Sequence, residues 1–74
     1  MLLSDLKTGD LCTVRQLIGD KILQQKMMTM GIVPGVKLSI QKYAPLGDPL
    51  EIKIKNFNLS LRKREAATII VTAL

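Results

Sequence analysis

Hydrophobic and polar residues alternate over most of the second half of the chain. A period of two is the pattern of half-buried β-strands, because successive side chains point to opposite faces of a sheet. The alternation is cleanest over residues 36–41 and recurs over residues 50–55, 59–62 and 67–73. These four segments predict four strands.

Residues 10–18 predict one further strand near the start of the chain. Cys12 and Val14 fall on one face of this strand, so we expect the Cys12 thiol to be buried. The neighbouring Leu17 and Ile18 break the alternation, which indicates a bulge or an early bend at that point.

A helix is predicted between the first two strands, over residues 21–30, which contain neither glycine nor proline. Asp20 stands where a helix N-cap is favoured, and Gly31 stands where a left-handed C-cap is favoured. One face of the helix carries the apolar residues at helical spacing, namely Leu23, Met27 and Met30. We interpret these methionines as core residues, since no histidine or second cysteine is present to complete a soft-metal site. Met28 lies off that face and is expected to be partly exposed.

The segments between the predicted strands carry turn residues. Residues 32–35 contain a Pro-Gly pair, and residues 45–49 contain two prolines and one glycine. Residues 56–58 place Phe57 between two asparagines, which predicts a tight connection with an aromatic ring at its tip. Residues 63–66 are predicted to form a polar corner before the last strand.

The order of these elements indicates a mainly β fold. We predict a small SH3-like β-barrel of about five strands, with one short α-helix inserted after the first strand. Closing a small sheet into a barrel removes exposed strand edges. The chain has 74 residues and no repeat or linker, so residues 1–74 are expected to form a single domain.

Composition argues against an enzyme or a metal centre. The chain has no histidine and one cysteine, Cys12, which removes the commonest general base and the common nitrogen and sulfur ligand sets. Asp48 and Glu51 offer too few oxygens for a hard cation, and turn formation is the favoured interpretation of Asp48. We therefore expect no catalytic residues, no metal ligands and no cofactor.

The N-terminal residues contain no basic segment followed by an apolar stretch, so no signal peptide is predicted. No apolar run approaches the roughly 20 residues that a membrane span requires. These two features lead us to expect a cytoplasmic protein.

The net charge of +5 is unevenly distributed, with −1 over residues 1–20 and +6 over residues 21–74. A basic surface suggests an acidic partner, which leaves nucleic acid, a membrane surface or an acidic protein open, and a merely solvated face is the simpler alternative. Only Tyr43 and Phe57 could stack on bases, so nucleic acid is disfavoured. The basic residues expected to lie in one row are Lys37, Lys53, Lys55, Arg62, Lys63 and Arg64.

Three runs of sequence, at residues 30–35, 44–49 and 59–66, resemble the FeoA family of small ferrous iron transport proteins. The resemblance covers nearly the whole chain in order. It implies an SH3-like barrel with a helix after the first strand. This chain differs from the family at one place. The hairpin between the third and fourth strands often carries glycine in that family, whereas residues 56–58 of this chain are Asn-Phe-Asn.

The resemblance also implies a function and a partner. The family acts as an accessory or regulator of a large membrane transporter with a cytoplasmic GTP-binding domain, and it is not itself the iron carrier. This chain is then expected at the inner face of the membrane through that partner. The family is often described as binding transition metals, for which this sequence offers no ligand set. The alternative is a small basic barrel that binds nucleic acid.

We expect docking through the helix surface and the 45–49 loop, with the basic row orienting the domain. Arg62 or Arg64 is a candidate for assisting GTP hydrolysis, although pairing with Glu65 or Glu51 is the favoured use of these arginines. The expected partner-binding residues are Met28, Leu46, Asp48, Lys53, Lys55, Phe57, Arg62 and Arg64.

Overall fold

The computed structural model describes all 74 residues, from Met1 to Leu74. A short 3-10 helix opens the chain at Leu3–Asp5. The remaining elements, in chain order, are β1 (Leu11–Leu17), α1 (Lys21–Thr29), β2 (Lys37–Tyr43), β3 (Leu50–Ile54), β4 (Phe57–Leu61), α2 (Lys63–Ala66) and β5 (Ile69–Ala73). The prediction of a mainly β fold with five strands and a helix after the first is confirmed.

The five strands form one antiparallel sheet in the order β4-β3-β2-β1-β5. The sheet does not close, since β4 and β5 are at its two ends and are not paired with each other. The N-terminal residues cover the outer edge of β5: Leu2 forms a bridge with Ile70, and the Val71 N–H donates to the Met1 carbonyl at 2.8 Å. The outer edge of β4 is therefore the one left open.

The core lies on the inner face of the sheet. Cys12 and Val14 of β1 are buried there, as their alternation predicts. The sequence pattern does not indicate the contribution of the first residues, where Leu3 and Leu6 are also buried. A run of three apolar residues at the start of a chain has no period from which burial can be inferred.

α1 begins and ends where its caps predict. The Asp20 carboxylate accepts a hydrogen bond from the Leu23 N–H at 2.7 Å, and Gly31 has a φ of +91°, which a side chain would strain. Met27 is buried, while Met30, the C-cap, packs partly exposed against the core. No helix of the chain is long and apolar enough to cross a membrane.

The irregularity of β1 lies earlier than predicted. The register of β1 against β5 shifts between Val14 and Gln16, whereas Leu17 pairs regularly with Ile69. The bulge therefore falls at Arg15, where the strand leaves its pairing with β2 and continues along β5 alone.

The predicted polar corner at residues 63–66 is the helix α2, and Glu65 within it is buried. Its carboxylate accepts from the Arg62 N–H at 2.8 Å and from Lys26 Nζ of α1 at 2.6 Å. The side chain of Glu65 is 7% exposed and that of Lys26 is 59% exposed, so the pair joins the two helices at the protein surface. The predicted pairing of Arg62 or Arg64 with Glu65 or Glu51 is wrong. Lys26 is the ion-pair partner of Glu65, and Glu51 forms no ion pair.

The connection between β3 and β4 is shorter than predicted. Ile54 pairs with Phe57, which leaves only Lys55 and Asn56 in the turn. Phe57 is thus the first residue of β4 and does not sit at a loop tip. Lys55 has a φ of +53° and is the one non-glycine residue in the left-handed region. Asparagine tolerates this conformation better than lysine does, but the pairing register places Lys55 there.

Replacing Lys55 with glycine should stabilise the protein. A left-handed conformation costs an ordinary L-residue about 1–2 kcal/mol, and the greater flexibility of unfolded glycine offsets about 0.5–1 kcal/mol of that gain. We expect Lys55→Gly to raise the free energy of unfolding by about 0.5 kcal/mol in urea titrations. The matched control is Lys53→Gly, which removes the same charge within a strand and should lower it by about 1 kcal/mol. A similar loss for both variants would contradict the explanation.

The Lys26–Glu65 contact predicts a pH-dependent stability. The lysine hydrogen bond holds the pKa of Glu65 below its ordinary value of 4.5, against the opposing effect of burial, and the Arg62 N–H adds to the lowering. A lowered folded-state pKa means that the carboxylate stabilises the fold above the unfolded pKa. This stabilisation is lost as the pH falls through the folded value.

We therefore expect Glu65→Gln to lower the free energy of unfolding by about 1–3 kcal/mol at pH 7. The difference in unfolding free energy between the variant and the parent should shrink as the pH falls below about 4. Glu65 of the parent is then protonated and, like glutamine, carries no charge. Glu51→Gln is the control and should change stability by less than about 0.5 kcal/mol, because the Glu51 side chain forms no ion pair. A difference between Glu65→Gln and the parent that stays constant from pH 7 to the acid limit would refute the role of the ion pair.

Candidate functional site

The Lys26–Glu65 contact separates two surface grooves. The first lies between α1 and α2 and is bordered by Ile22, Leu23 and Arg64. The second lies between α1 and the end of β4 and is bordered by Pro49, Ser60, Leu61 and Arg62. We call this surface, including both grooves, the α1–α2 face.

An exposed apolar side chain marks the first groove. Ile22 is 84% exposed, although its neighbour Leu23 packs against the core. Ile22 lies off the apolar face that Leu23, Met27 and Met30 form. An apolar residue at such a position is expected to be exposed, and this is the sequence signal that identifies Ile22 as a surface residue. Arg64, which has no ion-pair partner, borders the same groove, and arginine is enriched at protein interfaces.

The 45–49 loop adjoins this face through Asp48. The Asp48 carboxylate accepts from the Lys63 N–H at 2.9 Å and so caps the first turn of α2. Asp48 therefore holds a helix 15 residues away, which is a more distant role than the turn formation predicted for it. The loop presents Leu46, which is 96% exposed, as a second apolar side chain in solvent.

Phe57 lies at the C-terminal end of α1, the helix that carries Met28. The ζ-carbon of the Phe57 ring is 3.9 Å from where a Cβ on Gly31 would stand, so the ring covers the end of the helix. Both side chains remain partly exposed. Leu46 is separated from them, because the 45–49 loop precedes the opposite end of β3 from the Phe57 turn, about 13 Å away along the strand.

The predicted basic row is divided in two. Lys37, Lys53 and Lys55 border one shallow depression on the sheet, together with the exposed side chain of Leu11. Arg62 stands beyond the opposite end of β4, and with Arg64 it belongs to the α1–α2 face. A shared polar phase places residues on the same face of a sheet, but it does not fix their distance along the strands.

Neither aromatic ring borders the lysine depression. The Tyr43 hydroxyl donates to the Leu6 carbonyl at 2.6 Å, and burial, with the neighbouring Asp10 and Asp5, raises the pKa of this phenol. The lysines therefore lack a stacking platform for bases.

The side chains present do not fit a metal ion. No three His, Cys, Asp or Glu side chains come together in the structure. Cys12 is fully buried, and burial, with the nearby Asp10 carboxylate, raises the pKa of its thiol to about 11. A neutral, enclosed thiol is a poor metal ligand and a poor nucleophile.

Sequence reasoning missed Lys26 and Ser60, which border the second groove. The sequence pattern predicts Lys26 to be a solvated residue of the helix. Its partner, Glu65, lies 39 residues away along the chain, so no local pattern indicates the contact. Ser60 lies between two leucines, so alternation predicts only that it is on the polar face of a strand. Nothing in a single sequence distinguishes it from other exposed serines.

Comparison with known proteins gives the family and the fold. The chain is 37% identical over 69 residues to an Fe(2+) transport protein A/Fe(2+) transporter FeoB fusion protein from Porphyromonas gingivalis, covering 93% of this chain and 8% of that protein. A FeoA-like protein from Clostridium acetobutylicum superposes with a TM-score of 0.94 at 34% identity, over 100% of this chain and 86% of that one.

A zinc-complexed FeoA from Stenotrophomonas maltophilia, described as a procaryotic SH3 domain protein, superposes with a TM-score of 0.83 at 22% identity, over 97% and 89% of the two chains. This likeness shows the fold alone, and it confirms the predicted SH3-like architecture. A family model described as FeoA domain matches residues 1–73. The chain therefore belongs to the FeoA domain family, which is associated with ferrous iron transport.

Proposed function

We propose that this domain is an accessory, non-enzymatic protein-binding module of ferrous iron transport. It docks on the cytoplasmic side of the GTP-binding ferrous iron transporter and regulates or assembles it. The observation that carries the proposal is the Porphyromonas gingivalis relative, in which the homologous segment is fused to the transporter FeoB in one polypeptide. Fusion keeps two domains at a high effective concentration, which favours an interaction between them.

The chemistry of the chain supports a binding role. The Cys12 thiol is buried and its pKa is raised, and the chain contains no histidine. The surface instead offers exposed apolar side chains: Ile22 borders the groove that also contains Arg64, and Leu46 lies on the loop whose Asp48 caps α2. Burial of exposed aliphatic side chains favours association, and arginine is one of the residue types that contribute most at protein interfaces.

The α1–α2 face is the docking surface that these features favour. It includes the first groove with Ile22 and Arg64, the second groove with Arg62, and the adjoining loop with Leu46. Met28 and Phe57, both partly exposed, are candidates for a separate apolar contact with the partner near the end of α1. The lysine depression supplies long-range attraction, because exposed charges act mainly on the rate of association.

Substitution of the apolar residues of the α1–α2 face should weaken binding. Burying one large aliphatic side chain contributes about 1.5–3 kcal/mol, so the double variant Ile22→Ser, Leu46→Ser should raise the Kd for the transporter at least about tenfold. The measurement is a binding titration against purified transporter in lipid nanodiscs, with and without a GTP analogue. Leu74→Ser is the control, since Leu74 is also apolar and exposed but lies outside α1, the 45–49 loop and both grooves.

Two results would contradict different parts of the proposal. Absence of binding by the parent under both nucleotide conditions would refute the docking function. Binding of the double variant with the affinity of the parent would leave that function standing and would show that the α1–α2 face is not the docking surface.

A further inference from the structure

β4 carries the one open edge of the sheet. It pairs with β3 on one side, and no other strand lies beyond it. The opposite end of the sheet is protected, because Met1 and Leu2 pair with β5. An exposed strand edge presents a row of unpaired N–H and C=O groups, which is a template for pairing with another extended segment.

The pairing register identifies the free backbone groups. A two-residue turn makes Ile54 and Phe57 a hydrogen-bonded pair, and such pairs alternate along an antiparallel ladder. The N–H and C=O groups of Asn58 and Ser60 therefore point away from β3. None of the hydrogen bonds outside the regular elements uses them, and both residues are exposed.

The side chains along this edge define what can lie against it. On the inner face, Phe57 and Leu59 are incompletely buried and offer contact to apolar side chains. At the end of the strand, the groove of about 380 Å³ beside Ser60 is bordered by Lys26 and Arg62. An incoming strand would thus meet apolar contacts on one face and cations at one end.

The charges distinguish between possible occupants of the edge. A second copy of this chain, with a net charge of +5, would bring two sets of cations together, and like charges opposite each other destabilise a strand pair. A nucleic acid has no backbone amides with which to continue the ladder. Glu65 is already neutralised by Lys26, which leaves Arg62 without an ion-pair partner. The complementary occupant is an extended protein segment that carries carboxylates.

We propose that the β4 edge binds an extended, acidic segment of a partner protein and incorporates it as an additional strand of the sheet. Asn58 and Ser60 supply the main-chain hydrogen bonds, while Phe57 and Leu59 contact its apolar side chains. Arg62 pairs with one of its carboxylates. The proposal goes beyond the proposed function, because it specifies a mode of binding and the chemistry of the segment, whichever protein supplies it.

The test uses a synthetic eight-residue peptide of alternating valine and glutamate, capped at both ends, and the isotope-labelled full chain. Strand addition should slow amide hydrogen exchange at Asn58 and Ser60 by at least about tenfold at saturating peptide, because their N–H groups become hydrogen-bonded. A matched peptide with lysine in place of glutamate should leave exchange at these two amides unchanged. Unchanged exchange in this test would leave the proposed transporter function standing, because the sample contains no transporter.

Two substitutions at one position separate backbone from side-chain effects. Ser60→Pro removes the outward N–H, and proline is tolerated on an edge strand when its nitrogen faces solvent. We expect this variant to keep the parent's circular dichroism and to lose at least about tenfold in peptide affinity. Ser60→Ala removes only the hydroxyl and should bind like the parent. Arg62→Gln should weaken binding about three- to tenfold and make it less sensitive to salt.

The results that would overturn the proposal are specific. Unchanged exchange at Asn58 and Ser60 with millimolar acidic peptide would refute strand addition at this edge. Equal binding of the lysine peptide would refute the charge selection. Protection of these amides that rises with protein concentration in the absence of peptide would assign the edge to a second copy of the chain and contradict the proposed occupant.

Discussion

The surface of this domain depends on one buried carboxylate, that of Glu65. The sheet is open between β4 and β5, and the short helices that lie near this opening need a tertiary contact to hold them. Glu65 supplies this contact. Its carboxylate accepts one hydrogen bond from the Arg62 N–H at the N-cap of α2 and another from Lys26 on α1. Removing a carboxylate from water is costly unless its charge and hydrogen-bonding capacity are satisfied, and here both are. The two grooves of the α1–α2 face exist because this contact fixes the distance between α1, α2 and the end of β4.

A second constraint follows from the size of the chain. The five short strands and the elements packed against them bury a core of 15 apolar residues, and no space for a site remains inside it. Function is thereby confined to what lies outside the core: the exposed apolar side chains of α1 and the 45–49 loop, Arg62 and Arg64 at the start of α2, and the backbone of β4. These features are suited to holding a partner, and they lie on the side of the sheet where its edge is unpaired. A partner that covered this side would protect the edge in the way that Met1 and Leu2 protect β5.

Local patterns were sufficient to predict most of the fold and only part of the candidate site. Alternation identified the strands, and Asp20 with Gly31 bounded the helix, because these signals involve residues within one turn or one strand of each other. The Lys26–Glu65 contact has no local signal, since it joins residues 39 positions apart. Phe57 was misplaced because the turn type depends on the pairing register of β3 and β4, which residues 56–58 alone do not specify. The basic row was divided because alternation assigns residues to a face of the sheet but leaves their separation along it undefined.

We propose that partner recognition occurs on the α1–α2 face and the adjoining edge of β4. The most direct test is to map amide chemical-shift changes of the isotope-labelled chain on addition of the transporter's isolated cytoplasmic segment. We expect the largest changes at Ile22, Leu46, Ser60 and Arg64. Changes confined to the lysine depression around Lys37, Lys53 and Lys55, with the α1–α2 face unaffected, would contradict this proposal.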